Sequence, residues 1–103
     1  MPKSALHTLS NQTLEAVAVR FRTLGEVSRL QLLQALLTGE KNVSELVEHT
    51  GLSQPNVSRH LALLVASGLI GRRKQGLNVL YRVIDENLEE ICSAVCKSVS
   101  KRQ

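Results

Sequence analysis

Two cysteines near the carboxyl end of this 103-residue sequence, Cys92 and Cys96, have the type and spacing to bind a soft ion. Four residues apart on a helix, their Cβ atoms lie about 5–6 Å from each other on one face. A disulfide needs about 3.5–4.5 Å between Cβ atoms, so a bridge within one intact helix would be strained. Two thiolates favour Zn(II), Cu(I) or a thiophilic metalloid over hard cations. The alternative is that Cys92, which falls within an apolar stripe, is a small core residue.

A second group of polar side chains follows Ser53, in a segment with helical periodicity. Five of them lie off or beside its apolar stripe: Gln54, Asn56, Ser58, Arg59 and His60. Side chains of these types hydrogen-bond base edges and phosphates in DNA complexes. For His60 the pattern leaves open a DNA contact or a role in helix packing, and it favours either over metal binding.

The basic side chains are concentrated in one part of the chain. No Asp or Glu occurs between His49 and Ile84, and the whole chain has a net charge of +4. That stretch holds five basic residues: Arg59, Arg72, Arg73, Lys74 and Arg82. A basic block beside a nearly neutral remainder predicts a face that meets a polyanion, with Gln75 beside the cations. The alternative is a solvated basic surface.

Length and composition exclude several classes of protein. We expect one domain over residues 1–103. An aromatic share of 2% argues against a stacking platform for single-stranded nucleic acid. No apolar run approaches the roughly 18 residues of a membrane span, and the polar start lacks a signal-peptide core, so we expect a cytoplasmic protein with reduced cysteines. The three histidines are not spaced as a set of metal ligands. We find no nucleophile–base pair and no phosphate-binding loop in the sequence, so we do not expect an enzyme.

Periodicity and capping residues predict four helices in the first two thirds of the chain. The first covers about 11–24, and the second starts at Val27 and stops at Gly39. Leu32 and Ala35 widen the apolar stripe of the second helix, which suggests burial on more than one side.

The third and fourth predicted helices form a helix-turn-helix. The third begins at Asn42, and Gly51 allows a sharp turn into a fourth helix over about 53–67, capped by Ser53. Two helices joined by such a turn are typical of a helix-turn-helix, whose second helix reads the major groove mainly with its N-terminal residues.

The period then changes to two over about 69–83, which predicts a hairpin with its tip at Gln75-Gly76. A basic hairpin in this position is a wing, although a plain solvated hairpin is the alternative. A last helix over about 86–99 carries an apolar stripe, and basic residues including Arg102 follow. The expected fold is mainly α with a small β-hairpin. It is a winged helix-turn-helix in the order α-α-α-α-β-β-α, with the first and last helices packed on a partner.

These residues together resemble the ArsR/SmtB family of prokaryotic winged-helix repressors. The specific part is GLSQPNVSRHLALL, residues 51–64, preceded by Leu24-Gly25, Ser28-Arg29-Leu30 and Val43-Ser44-Glu45-Leu46, and followed by Ser67-Gly68-Leu69 and a wing closing on Tyr81-Arg82. The resemblance implies a homodimer built from the first and last helices. It also implies binding to an inverted-repeat operator in double-stranded DNA without any cofactor, and release by a metal or metalloid inducer.

Three inducer sites of that family do not carry over. The third-helix site has Cys-Val-Cys where this chain has Asn42-Val43-Ser44, and the thiol of the sulfide- and redox-sensing members is Gln34 here. The terminal-helix metal site retains only Asp85, because the other three positions are Asn87, Ser98 and Lys101.

Cys92 and Cys96 therefore remain as the predicted sensor thiols, within one subunit or across two. As(III), Sb(III) or an organoarsenical is the expected inducer, ahead of Zn(II) or Cu(I). A redox-responsive repressor using the same thiols is one alternative. Another is a winged-helix protein-interaction module with structural cysteines, which would show no salt-dependent affinity for DNA.

Overall fold

Five α-helices and one β-hairpin make up residues 5–101, the part of the chain that this computed structural model describes. After a short 3-10 turn at Ala5–Thr8, the elements in chain order are α1 Asn11–Leu24, α2 Val27–Leu36, α3 Val43–Thr50, α4 Gln54–Ala66, β1 Ile70–Gln75, β2 Asn78–Val83 and α5 Leu88–Ser100. The predicted fold class and element order are confirmed. Arg102, which we placed after the last helix, lies outside the described residues.

The helix-turn-helix is set by local hydrogen bonds. At the start of α3, the Asn42 side chain accepts from the Glu45 backbone N–H at 2.8 Å, and the Glu45 carboxylate accepts from the Asn42 N–H at 2.9 Å. This reciprocal pair is a capping box, as predicted. At the other end of α3, Gly51 has a φ of 76°, which a residue without Cβ adopts at little cost. The Ser53 hydroxyl then caps α4.

The core lies between α2, α3, α4 and the base of the hairpin. Its largest fully buried side chains are Leu32, Leu33, Leu46, Val57, Leu61, Leu64, Leu69, Ile70 and Leu88. Helix α2 buries Leu32 and Ala35, the two residues that widen its stripe, whereas Val27 and Leu30 at the other edge are exposed. The single chain therefore covers one side of α2 and leaves the other apolar side open to water.

The hairpin closes with the Gln75–Asn78 pair, so its two turn residues are Gly76 and Leu77, one position later than the predicted tip. Gly76 has a φ of 64° and Leu77 does not have a positive φ. A positive φ at the first turn position alone is typical of a type II′ hairpin turn. Strand β2 also pairs with the segment between α2 and α3. Tyr81 and Lys41 exchange two backbone hydrogen bonds, which joins the wing to that segment.

Helices α1 and α5 contribute little to this core. Leu24 is the buried residue of α1 and Leu88 that of α5, while Cys92 is half-buried. Arg20 holds α1 to the rest of the domain by donating to the Asp85 carboxylate at 2.6 Å and to the Ser67 carbonyl at 3.0 Å. Within residues 5–101, no helix is both long enough and apolar enough to cross a bilayer.

Candidate nucleic-acid interface

The side of α4 opposite the core carries the predicted polar residues. Gln54, Asn56, Ser58 and Arg59 are exposed. Val57, Leu61 and Leu64 point the other way and are buried. The first two turns of the helix thus present hydrogen-bonding groups to solvent, while the remaining face fixes the helix against the core. This placement suits a helix that enters the major groove with its N-terminal half.

Arg59 and Asn56 are hydrogen-bonded to each other on this exposed side. The Arg59 Nη2 donates to the Asn56 Oδ1 at 2.9 Å, one helical turn away. The bond uses one of the five guanidinium N–H donors and an acceptor of the amide. It therefore restrains the direction of the guanidinium while leaving donors for a guanine edge or a phosphate.

His60 corrects the predicted set, because its side chain is in the interior rather than on the exposed face. It is 6% exposed. Its ring contacts Glu26 and Arg29 at the start of α2, each at 3.3 Å. The sequence spacing could have predicted this burial, because His60 is three residues after Val57 and four before Leu64 and therefore lies on the buried stripe.

The cations of the wing are divided between its two faces. Side chains alternate along a strand, so Arg72 and Lys74 lie on one face of the hairpin and Arg73 on the other, with Gln75. Arg82 pairs with Gly71 and shares the face of Arg73. All five side chains are exposed. A duplex meeting the wing edge would thus encounter basic groups on both sides of it.

Arg73 already has an anionic partner, which the sequence did not indicate. Its Nε and Nη2 donate to the two carboxylate oxygens of Glu40 at 2.9 and 2.8 Å. The hydrogen bond from Arg73 lowers the pKa of the Glu40 carboxyl below its ordinary value, and the charge of Arg82 acts in the same direction. The stretch of sequence without Asp or Glu therefore does not form a surface without acids. Glu40, which precedes Arg73 by 33 residues in the sequence, lies beside the wing.

The two cysteines lie on the wall of an apolar groove on another side of the molecule. Cys92 is half-buried and Cys96 is exposed. The groove has a volume of about 550 Å³ and runs between α5 and the α1–α2 junction, where Phe21, Val27 and Leu30 line it. Burial raises the pKa of the Cys92 thiol, which therefore holds its proton at neutral pH.

At the positions of the other inducer sites of the family, the side chains that could still bind an ion form hydrogen bonds within the fold instead. Asn42 and Glu45 form the capping box, and Asp85 accepts from Arg20 and from the Asn87 backbone N–H. Across residues 5–101, no group of three or more His, Cys, Asp or Glu side chains is placed to hold a metal ion. The two thiols thus have no third protein ligand of these types in the described part of one chain.

The fold and the exposed α4 face define a winged helix-turn-helix protein of the DNA-binding type. A solved structure from Mycobacterium bovis, described as a homodimeric winged helix-turn-helix DNA-binding domain and a possible ArsR-family regulator, superposes with a TM-score of 0.79. It is 25% identical, and the match covers 98% of this chain and 90% of that one.

Sequence comparison identifies the family. The pattern described as "Bacterial regulatory protein, arsR family" matches residues 26–71. A probable mercury resistance operon repressor of Streptomyces lividans is 44% identical over 71 residues, covering 69% of this chain and 57% of that protein. The arsenical resistance operon repressor of Staphylococcus xylosus is 37% identical over 70 residues, covering 68% and 67%.

This chain belongs to the ArsR family. The resemblance deduced from residues 51–64 and the flanking motifs is thereby confirmed, and the family is one of DNA-binding transcriptional regulators rather than enzymes. The chain spans little more than half the length of the Streptomyces lividans relative.

Proposed function

We propose that this protein is a transcriptional repressor that binds double-stranded DNA, reading the major groove with α4 and contacting the backbone or minor groove with the wing. The observation that carries the proposal is the exposed row on the first two turns of α4, with Arg59 restrained by Asn56. The mercury and arsenical operon proteins among its relatives are repressors by name. Arg72, Lys74 and Arg82 supply the cations that phosphates require.

The repressor acts as a homodimer through α1 and α5. In the single chain, Phe21 on α1 is 61% exposed and Val95 on α5 is 55% exposed, and Val27 beside them at the start of α2 is 70% exposed. Fully burying an apolar side chain of this size is worth about 1.5–3 kcal/mol, so a partner that covers these residues together gains a substantial free energy. The Mycobacterium bovis domain is described as homodimeric. Two-fold symmetry of the dimer matches an inverted-repeat operator with half-sites about one DNA turn apart.

The inducer binds at Cys92 and Cys96, and a trivalent arsenical or antimonial fits them best. Two thiols satisfy an organoarsenical, which forms two As–S bonds and releases two waters from its hydroxyl groups. Its organic substituent then lies in the apolar groove beside Phe21 and Leu30. Inorganic arsenite needs a third donor, which the partner subunit would supply. Occupancy at this interface changes the separation of the two α4 helices, with a typical coupling of about 1–3 kcal/mol.

Release from DNA tests the inducer. A fluorescent duplex selected from a random library by the protein is bound, then titrated with phenylarsine oxide, arsenite, zinc or hydrogen peroxide while anisotropy is followed. We expect phenylarsine oxide to release the parent protein and to leave a Cys92→Ser/Cys96→Ser variant bound. Release by peroxide alone would favour the redox alternative. Retention with every agent would make the thiols structural, and a parent protein without salt-dependent DNA affinity would favour an interaction module.

A further inference from the structure

We propose that His60 is a positioning residue for DNA reading: it fixes the rotation of α4 on α2 and thereby the direction of Arg59. The inference rests on the proposed DNA-binding function and assigns a role within it to a side chain that does not reach the DNA. His60 is buried, and both of its ring nitrogens lie against charged groups of another element.

The chemistry of the two partners specifies one state of the imidazole. The Glu26 carboxylate can only accept, so the His60 Nε2 at 3.3 Å from Oε2 donates to it. The Arg29 guanidinium can only donate, so the Nδ1 at 3.3 Å from Nη1 accepts from it. The neutral ring with its proton on Nε2 satisfies both partners. Its other tautomer satisfies neither, since it would direct an N–H at the guanidinium and a lone pair at the carboxylate.

Arg29 extends this contact to a third helix. Its Nε donates to the Thr23 carbonyl at 2.6 Å, and its Nη2 donates to the Arg22 carbonyl at 3.2 Å, both in the last turn of α1. Glu26 is the N-cap of α2. One imidazole therefore ties the middle of α4 to the junction of α1 and α2, at two points on opposite sides of its ring.

Two fixed points on a ring resist rotation of the helix more than apolar packing does, because hydrogen bonds are directional. Arg59 is the preceding residue, about 100° around the helix and on the exposed side. At the outer radius of a helix, a rotation of 10° moves a side-chain end by about 1 Å. That displacement is enough to misalign a bidentate contact with a base, whereas phosphate contacts from the wing tolerate it.

Matched variants separate positioning from stability. Binding is measured by anisotropy on a duplex selected from a random library by the parent protein and on a random-sequence duplex, and each variant is melted. In His60→Leu we expect the preference for the selected duplex to fall about tenfold, while affinity for random DNA and its salt dependence stay near those of the parent. The Tm should fall only modestly, because Glu26 still accepts from the Ser28 N–H and Arg29 still donates to the carbonyls of α1. His60→Asn offers an oxygen to Arg29 and should recover part of the preference. His7→Leu, an exposed histidine replacement, is the control.

Several results would overturn the inference. One is an unchanged preference in His60→Leu, and another is an equal loss on both duplexes, which would indicate a structural role. A parent protein that selects no duplex from the library and does not bind random DNA would instead overturn the proposed function, and with it this role of His60. Independently of any variant, ¹⁵N NMR of the ring at neutral pH should show the proton on Nε2. A proton on Nδ1, or averaging between tautomers, contradicts the geometry.

Discussion

Arg59 is the side chain whose exposure, charge and restraint by Asn56 suit it best to base reading. Replacing Arg59 with alanine should weaken binding to the selected duplex by about 1–3 kcal/mol and relax its specificity. Random DNA should lose much less, since phosphate contacts dominate there. Titration of both duplexes by anisotropy measures the two effects. Equal affinity of Arg59→Ala and the parent protein for selected DNA would remove α4 from the interface.

The protonation of Cys92 distinguishes a metalloid from a metal cation. Because burial raises the pKa of this thiol, a cation must displace its proton. The affinity for the cation should therefore fall about tenfold for each pH unit by which the pH is lowered, for each proton displaced. An arsenical that condenses with two thiols leaves the net proton count unchanged, since the thiol protons leave in water. We therefore expect the release of the protein from DNA by phenylarsine oxide to vary little between pH 6 and 8. Zinc binding should strengthen steeply as the pH rises over the same range. A steep arsenical curve would contradict this assignment.

Sequence periodicity predicts which side chains of α4 are exposed, but it does not predict which side chains pair across the fold. The periodicity of α4 correctly predicts that four residues are exposed, because the buried stripe of the helix repeats regularly. They are Gln54, Asn56, Ser58 and Arg59. Periodicity could not pair Arg73 with Glu40 or His60 with Glu26, since those partners are joined only by tertiary packing. The charge that a DNA backbone would meet at the wing depends on exactly such partners.

The wing as an element is held partway along its length by Glu40, whose partner Arg73 pairs with Leu80 in the middle of the hairpin. The pKa of the Glu40 carboxyl is lowered, so the carboxylate is ionised and paired with Arg73 at neutral pH. The stability that this pair contributes is lost only as the pH falls through the lowered pKa. Glu40→Gln removes the charge and releases the Arg73 guanidinium toward DNA. Random-duplex affinity should rise, and the slope of log K against log salt should steepen by about 0.9 for one added phosphate contact.

Binding isotherms at several salt concentrations check this, with Glu15→Gln on α1 as the charge-matched control. An unchanged slope in Glu40→Gln would show that Arg73 lies away from the phosphates.

Helix α5 is the element whose burial the single chain leaves incomplete. Val95 on its apolar side is exposed, as are Ile91 and Val99. Val95→Asp should shift the protein to monomers, because a carboxylate would be desolvated at the proposed interface. Ala94→Asp, on the polar side of the same helix, is the control. Sedimentation velocity distinguishes the two; dimers that persist in Val95→Asp would place the interface elsewhere.

At the element scale, capping residues predicted most boundaries. The Asn42 and Ser53 caps fixed the starts of α3 and α4 because their hydrogen bonds are local. Helix α5 begins at Leu88 rather than Glu86, since the Asp85 carboxylate accepts from the Asn87 N–H and Asn87 makes no side-chain cap. The direction in which α2 faces the core was ambiguous, because its apolar residues surround most of the helix.

For the whole molecule, the position of the excess basic charge matters more than its size. The chain has a net charge of +4, and the proposed dimer would carry twice that. The predicted cations lie on α4 and the wing, whereas the thiols line a groove beside α1 and α2. Separate locations for DNA contacts and inducer are what allosteric release requires.

Selection from a random duplex library, followed by binding across a range of salt concentrations, is the sharpest test of whether this protein binds DNA as a two-fold dimer. We expect enrichment of an inverted repeat whose half-sites lie about one DNA turn apart, bound with an affinity that falls steeply with salt. A library without an enriched motif, or binding that is indifferent to salt, would contradict this expectation.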